Sequence, residues 1–166
     1  MSHDGGPATN NRVVTRRNLA TMAGFSIVMV NYGKPLLAAK VADQQGQIVQ
    51  PALANAKAFM DRAFDRRRLA REKGDQPYGA VIVLDNRIIG QSWSRVIIDS
   101  DPTAHAELSA IRDAARRTDK RNLVGAVLYS SSRPCPMCEA AAYWANIQDM
   151  IHGHRLQSAG FPKLCG

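Results

Sequence analysis

Cysteine is scarce in this chain. Cys135, Cys138 and Cys165 are its only three in 166 residues, too few, odd in number and too near the C-terminal end for a disulfide framework. Metal binding by the close pair is the better reading. Long hydrophobic runs are missing as well. The uncharged apolar stretch from Met22 to Val30 falls short of the ~20 residues that a membrane-spanning helix needs. No repeat, low-complexity tract or coiled-coil bias is present, which excludes solenoid and fibrous architectures. Acidic side chains are in the minority, 14 against 22 basic ones, for a formal charge of +8.

That charge is unevenly spread. Residues 1–43 hold five basic side chains against Asp4 and Asp43, which leaves seventeen basic against twelve acidic for residues 44–166. The excess is compatible with an anionic substrate or nucleic acid, because Lys and Arg release counterions from phosphates. A solvated basic face is the simpler account of it.

The length fits one domain with extra sequence. The leader, residues 1–43, pairs Arg16 and Arg17 ahead of the Met22–Val30 run, the pattern of a secretory signal of the twin-arginine type. Export to the periplasm is the expectation, and a cytoplasmic location the alternative. Residues 44–50 are polar with a glycine and read as a linker. The domain is then expected over 51–166.

Within it, Pro51 is placed to open a helix that Gly74 stops, with Ala52, Ala56, Phe59 and Ala63 on its apolar stripe and Arg62, Arg66, Arg67, Arg68 and Arg71 facing solvent. "YGAVIVLD" and "RIIGQSWSRVII" are β-branched runs joined at Asp85-Asn86, a hairpin signal. "TAHAELSAIRDAARR" returns to helical spacing with Ala104, Leu108, Ile111 and Ala115 on one face. "GAVLYSSS" reads as a buried strand, "PMCEAAAYWANI" as a helix with Met137, Ala141, Trp144 and Ile147 on one side, and "DMIHGHR" as a last strand. This order predicts an α/β protein, a three-layer α/β/α sandwich around a mixed sheet, with a parallel crossover after the hairpin.

The chemistry lies in "DPTAHAE" and "PCPMC". A catalytic zinc takes three protein ligands of nitrogen and sulfur and keeps its fourth position open. His105, Cys135 and Cys138 supply three such donors. Both segments are placed where helices begin after strands, the usual location of sites in α/β sheets, and helical N–H groups there favour thiolates. Glu107, two residues past His105, is then positioned as general base and later general acid. It would serve a zinc-activated hydroxide that attacks an amino-substituted ring carbon and releases ammonia. Taken singly, C-x-x-C and H-x-E are common; together, with Pro134 before the first cysteine, they form the zinc-deaminase signature.

From about Ala54 to Arg155 the chain resembles the cytidine deaminase-like superfamily, and within it the guanine deaminases and bacterial tRNA adenosine deaminases. "DPTAHAELSAIRDA" looks like both groups, while Tyr143-Trp144-Ala145 looks more like guanine deaminase. The resemblance implies a nucleobase or nucleoside substrate, with an RNA-editing enzyme or a zinc-stabilised binding module as alternatives. It implies that Tyr78 packs on the base, that Trp144 is a pocket aromatic, that Ala106 offers its backbone N–H to the ring, and that the chain forms a homodimer. Two positions depart from the pattern. Ser94 stands where the family usually has an Asn that bonds the base, and Arg133 stands where it usually has Glu. Relatives also usually continue into a further helix beyond the Gly166 end.

Overall fold

The computed structural model describes residues 46–164. The leader with its paired arginines, and Cys165, lie outside the described residues. Among those described, no helix is long and apolar enough to cross a membrane.

The elements run α1 (Ala56–Glu72), β1 (Gly79–Leu84), β2 (Arg87–Trp93), α2 (Ala106–Thr118), β3 (Val127–Ser130), α3 (Pro136–Trp144), β4 (Asp149–His152) and β5 (Gln157–Ser158). They build one five-stranded sheet in the order β2-β1-β3-β4-β5. β1 is antiparallel to both β2 and β3, whereas β3 and β4 are parallel. The hairpin turns at Asp85 and Asn86, with φ of 50° and 59°, the left-handed pair that a two-residue turn matched to strand twist requires.

Alternation along the strands sorts the core into two halves. Val81, Val83 and Tyr129 pack with Ile88 against Phe59, Met60 and Ala63 of α1. Ala80, Ile82, Leu128 and Met150 face the other way, against Ala106, Ala110 and Ala114 of α2 and Ala142 of α3. Three layers, α/β/α, follow directly from this period of two. Two glycines let the helices close in. A Cβ on Gly79 would collide with the backbone of Ala63 and Arg67, and one on Gly90 would lie 2.6 Å from the Ala110 carbonyl oxygen.

Several boundaries and faces differ from the sequence expectation. α1 starts five residues after Pro51, because the Asn55 side chain caps it by accepting from the Ala58 N–H at 2.9 Å. Its arginines are not all solvated: Arg62 is 19 % exposed and pairs with Asp65 at 3.2 Å. β2 ends at Trp93, before the expected Ile98, because the Ile97 and Ile98 N–H groups go to the Asp75 carboxylate and leave the ladder. On α2 the buried positions are Ala106, Glu107, Ser109, Ala110, Ile111, Asp113 and Ala114, with Leu108 and Ala115 only half-buried. On α3 they are Cys138 and Ala142. Both helices are turned so that a polar ligand or acid faces inward, which hydropathy spacing does not register.

The stretch read as a linker is fastened where it is described. Gln50 donates from Nε2 to the Ile88 carbonyl at 2.7 Å and accepts from the Ile88 N–H at 2.9 Å. It thus satisfies part of the free edge of β2, as an added strand would. The Gly46 carbonyl accepts from Arg117 at 2.8 Å.

Candidate active site

Three chain segments meet at one end of the sheet. β3 and β1 are paired antiparallel through Ala80 and Ser130, so the exit of β3, the entry to β1 and the exit of β2 share that end. The exit of β3 leads through Ser131 to Pro134 into α3; that of β2 leads through residues 94–105 into α2. Ser131 ties the segments together, since its Oγ accepts from the Gly79 N–H at 3.1 Å and its N–H donates to the Gly79 carbonyl at 2.9 Å.

His105 and Cys135 are the N-cap residues of α2 and α3, both in extended conformation and neither spending its side chain on the cap. Cys138 follows in the first turn of α3 and is fully buried. The result is convergence: Cys135 Sγ lies 3.6 Å and Cys138 Sγ 3.7 Å from His105 Nδ1, and the three ligand atoms all lie within 4.8 Å of one another. A tetrahedral zinc, with bonds of about 2.3 Å to sulfur and 2.0–2.1 Å to nitrogen, separates S from N by roughly 3.6 Å. The donor set therefore fits zinc in both chemistry and spacing. Burial, with Glu107 and Cys135 close by, pushes the Cys138 thiol well above its ordinary range. A divalent cation is what would offset that cost for a thiolate.

Glu107 is buried, 4 % exposed, in the first turn of α2. Its Oε1 accepts from Ser130 Oγ at 2.8 Å, and its Oε2 lies 3.7 Å from Cys138 Sγ. The carboxylate is thus fixed beside the ligand set. A cavity of about 420 Å³ opens over it, walled by Gln76, Tyr78, His105, Glu107, Ser132, Arg133 and Cys135.

A match to the model of the cytidine and deoxycytidylate deaminase zinc-binding region covers residues 53–154. The chain belongs to this family. The tRNA-specific adenosine deaminase of Agrobacterium fabrum is 41 % identical over 101 residues, 61 % of this chain and 66 % of that protein. The guanine deaminase of Bacillus subtilis is 49 % identical over 69 residues, 42 % of this chain and 44 % of that protein. Its crystal structure superposes with a TM-score of 0.58 at 39 % identity, over 60 % of this chain and 64 % of that one. The matched region thus spans about half to two thirds of these relatives. The sheet and three helices described above have the family's cytidine deaminase-like fold.

Not every expected site residue reaches the cavity. Tyr78 does, at its wall and 41 % exposed. Ala106 is buried between His105 and Glu107, as the first residue of α2. Ser94 is turned away: it is fully buried and donates from Oγ to Asp75 Oδ1 at 2.8 Å. Trp144 stands elsewhere. It is the last residue of the nine-residue α3, at the opposite end from Cys135, is 72 % exposed, and meets the Tyr143 ring edge-on at 5.4 Å. In this chain it does not line the cavity.

Four participants escape sequence reasoning. Ser130, the partner of Glu107, and Ser132 belong to the run Ser130-Ser131-Ser132 after a buried strand, and that run is a readable signal. Asp75 carries none, for its partners Ser94, Ile97 and Ile98 lie about twenty residues away, and Gln76 carries none, for only the fold brings it to the cavity wall. Asp75 accepts from Gln76 N, Ser94 Oγ, Ile97 N and Ile98 N at 2.8–3.0 Å. It fastens the entry of β1 to the loop that leads to His105.

Proposed function

We propose that this protein is a hydrolytic deaminase that replaces an amino group on the ring of a nucleobase or nucleoside by oxygen and releases ammonia, with a purine as the first candidate. The observation that supports it most is the buried Glu107 carboxylate, held beside His105, Cys135 and Cys138 yet open to the cavity. A purely structural metal site has no use for such an acid.

When bound by His105, Cys135 and Cys138, a zinc ion supplies a water acidic enough to be deprotonated near neutrality. Glu107 receives the proton, with Ser130 Oγ steadying Oε1 so that one orientation is kept. The same carboxyl then delivers the proton toward the ring and the departing amino group, so the reaction consumes one water and yields one ammonia. Tyr78 offers a ring face to the base. The likeness to the Bacillus subtilis guanine deaminase supports a purine base.

An RNA substrate is the second reading. Arg133, exposed on the cavity wall where the family usually has a carboxylate, favours an anionic substrate, and several relatives are tRNA-specific adenosine deaminases. An ammonia-release assay over guanine, adenine, cytosine, their nucleosides and a tRNA anticodon stem-loop separates the two. Turnover of a free base, insensitive to salt, is the expected outcome. Turnover confined to the stem-loop and falling steeply with ionic strength replaces it with the RNA reading, and no turnover on any substrate overturns both.

A further inference from the structure

Gln76, Ser132 and Arg133 are polar side chains of the cavity wall that neither the ligand set nor the proton path uses. Gln76 is half-buried and its carboxamide makes no hydrogen bond to any described residue. Its backbone, in contrast, is held on both sides. The N–H donates to Asp75 Oδ1 at 2.8 Å, and the carbonyl accepts from the Tyr78 N–H at 2.8 Å across Pro77. Asp75 is itself fixed by Ser94, Ile97 and Ile98. A rigid stalk therefore presents an uncommitted amide to the cavity.

The neighbouring wall groups are poorer readers of a ring. His105 and Cys135 would be taken up as ligands of the metal, and Glu107 is engaged by Ser130. Arg133 donates only, and Ser132 offers a single short hydroxyl. Gln76 alone places an N–H donor and a carbonyl acceptor side by side in fixed geometry, the arrangement by which Asn and Gln read a base edge through two hydrogen bonds. Ser94, turned to Asp75, leaves that task open.

We infer that Gln76 is the specificity-determining residue of this cavity, reading with its carboxamide the edge of a heterocyclic base that carries an acceptor next to a donor while Tyr78 covers the ring face. The inference rests on the reading of the cavity as a nucleobase site. Selection by two directed bonds predicts a marked preference among bases, because a mismatched edge leaves donor facing donor or acceptor facing acceptor.

Gln76→Ala and Gln76→Glu test this in the zinc-loaded full-length chain. Affinity for guanine, adenine and cytosine is measured by calorimetry, beside ammonia release, zinc content and melting temperature. Both variants are expected to lose about 10- to 100-fold in affinity for the preferred base. Most of the loss should appear in KM and the spread among bases should narrow, with zinc content and melting temperature unchanged. Unaltered affinities and rank order in both variants, or a wild-type protein that binds none of the three bases, overturn the inference. Binding that depends on Gln76 without any ammonia release keeps it and removes the deaminase reading. Turnover with an unchanged base preference does the reverse.

Discussion

Glu107→Gln is expected to lower kcat for ammonia release by about 10²- to 10⁴-fold, the range that general acid–base groups contribute. The amide keeps the length and volume of the acid, and its carbonyl oxygen still accepts from Ser130 Oγ, which sits 2.8 Å from Glu107 Oε1. What the variant loses is the capacity to take up a proton. Because that interaction is made in the transition state and not in the ground state, kcat and kcat/KM should fall together, with KM little changed. Zinc content and melting temperature should stay near wild type, since His105, Cys135 and Cys138 are untouched. Steady-state kinetics beside elemental analysis on the same sample reads both. Unchanged turnover in the variant would remove Glu107 from the proton path.

Asp75→Asn is expected to cost on the order of 3 kcal/mol at neutral pH, the effect of disrupting hydrogen bonds to a buried charged acceptor. Asp75 is 7 % exposed and receives four donors through two oxygens. An amide must turn its NH₂ toward the donors of one oxygen, so at least one backbone N–H, that of Gln76 or those of Ile97 and Ile98, is left without an acceptor. Burial alone would raise the Asp75 pKa. The bonds from Ile98, Ser94, Gln76 and Ile97 outweigh it and hold the carboxyl below its ordinary value. The sign follows. The bonus is fully present above the unfolded-state pKa of about 3.9 and is lost as the pH falls through the lower folded-state value. Denaturant titrations at pH 7 and at successive values below 4 should therefore show the wild type losing stability toward acid more steeply than the variant. Equal pH dependence in the two proteins would mean that the carboxylate does not carry this loop.

The contacts of Asp75 mark where sequence reading succeeds and where it stops. The β-branched run "GAVIVL" and the Asp85-Asn86 turn are local signals, so the hairpin is legible from the residues alone and the three layers from the order of helices and strands. The ligand set is legible for a different reason: His105 and Glu107, with Pro134, Cys135 and Cys138, stand in the H-x-E and P-C-x-x-C spacing of the zinc-deaminase signature. The inward faces of α2 and α3 are not legible, because Glu107, Asp113 and Cys138 are buried by their partners rather than by hydrophobicity. Asp113 is an example, fully buried and paired with Arg117 at 2.7 Å while also accepting from the Gln91 N–H. Resemblance alone puts Trp144 in the pocket, yet it lies a full helix length from Cys135. The turn of Ser94 toward Asp75 rests on a contact across nineteen residues, which no local pattern contains.

Metal content decides the central claim, that His105, Cys135 and Cys138 converge on one ion. Elemental analysis of protein purified without added chelator should find one zinc per chain, and Cys135→Ser and His105→Ala should each bring that value close to zero. A wild-type chain free of metal, or variants that retain a full equivalent, would contradict it.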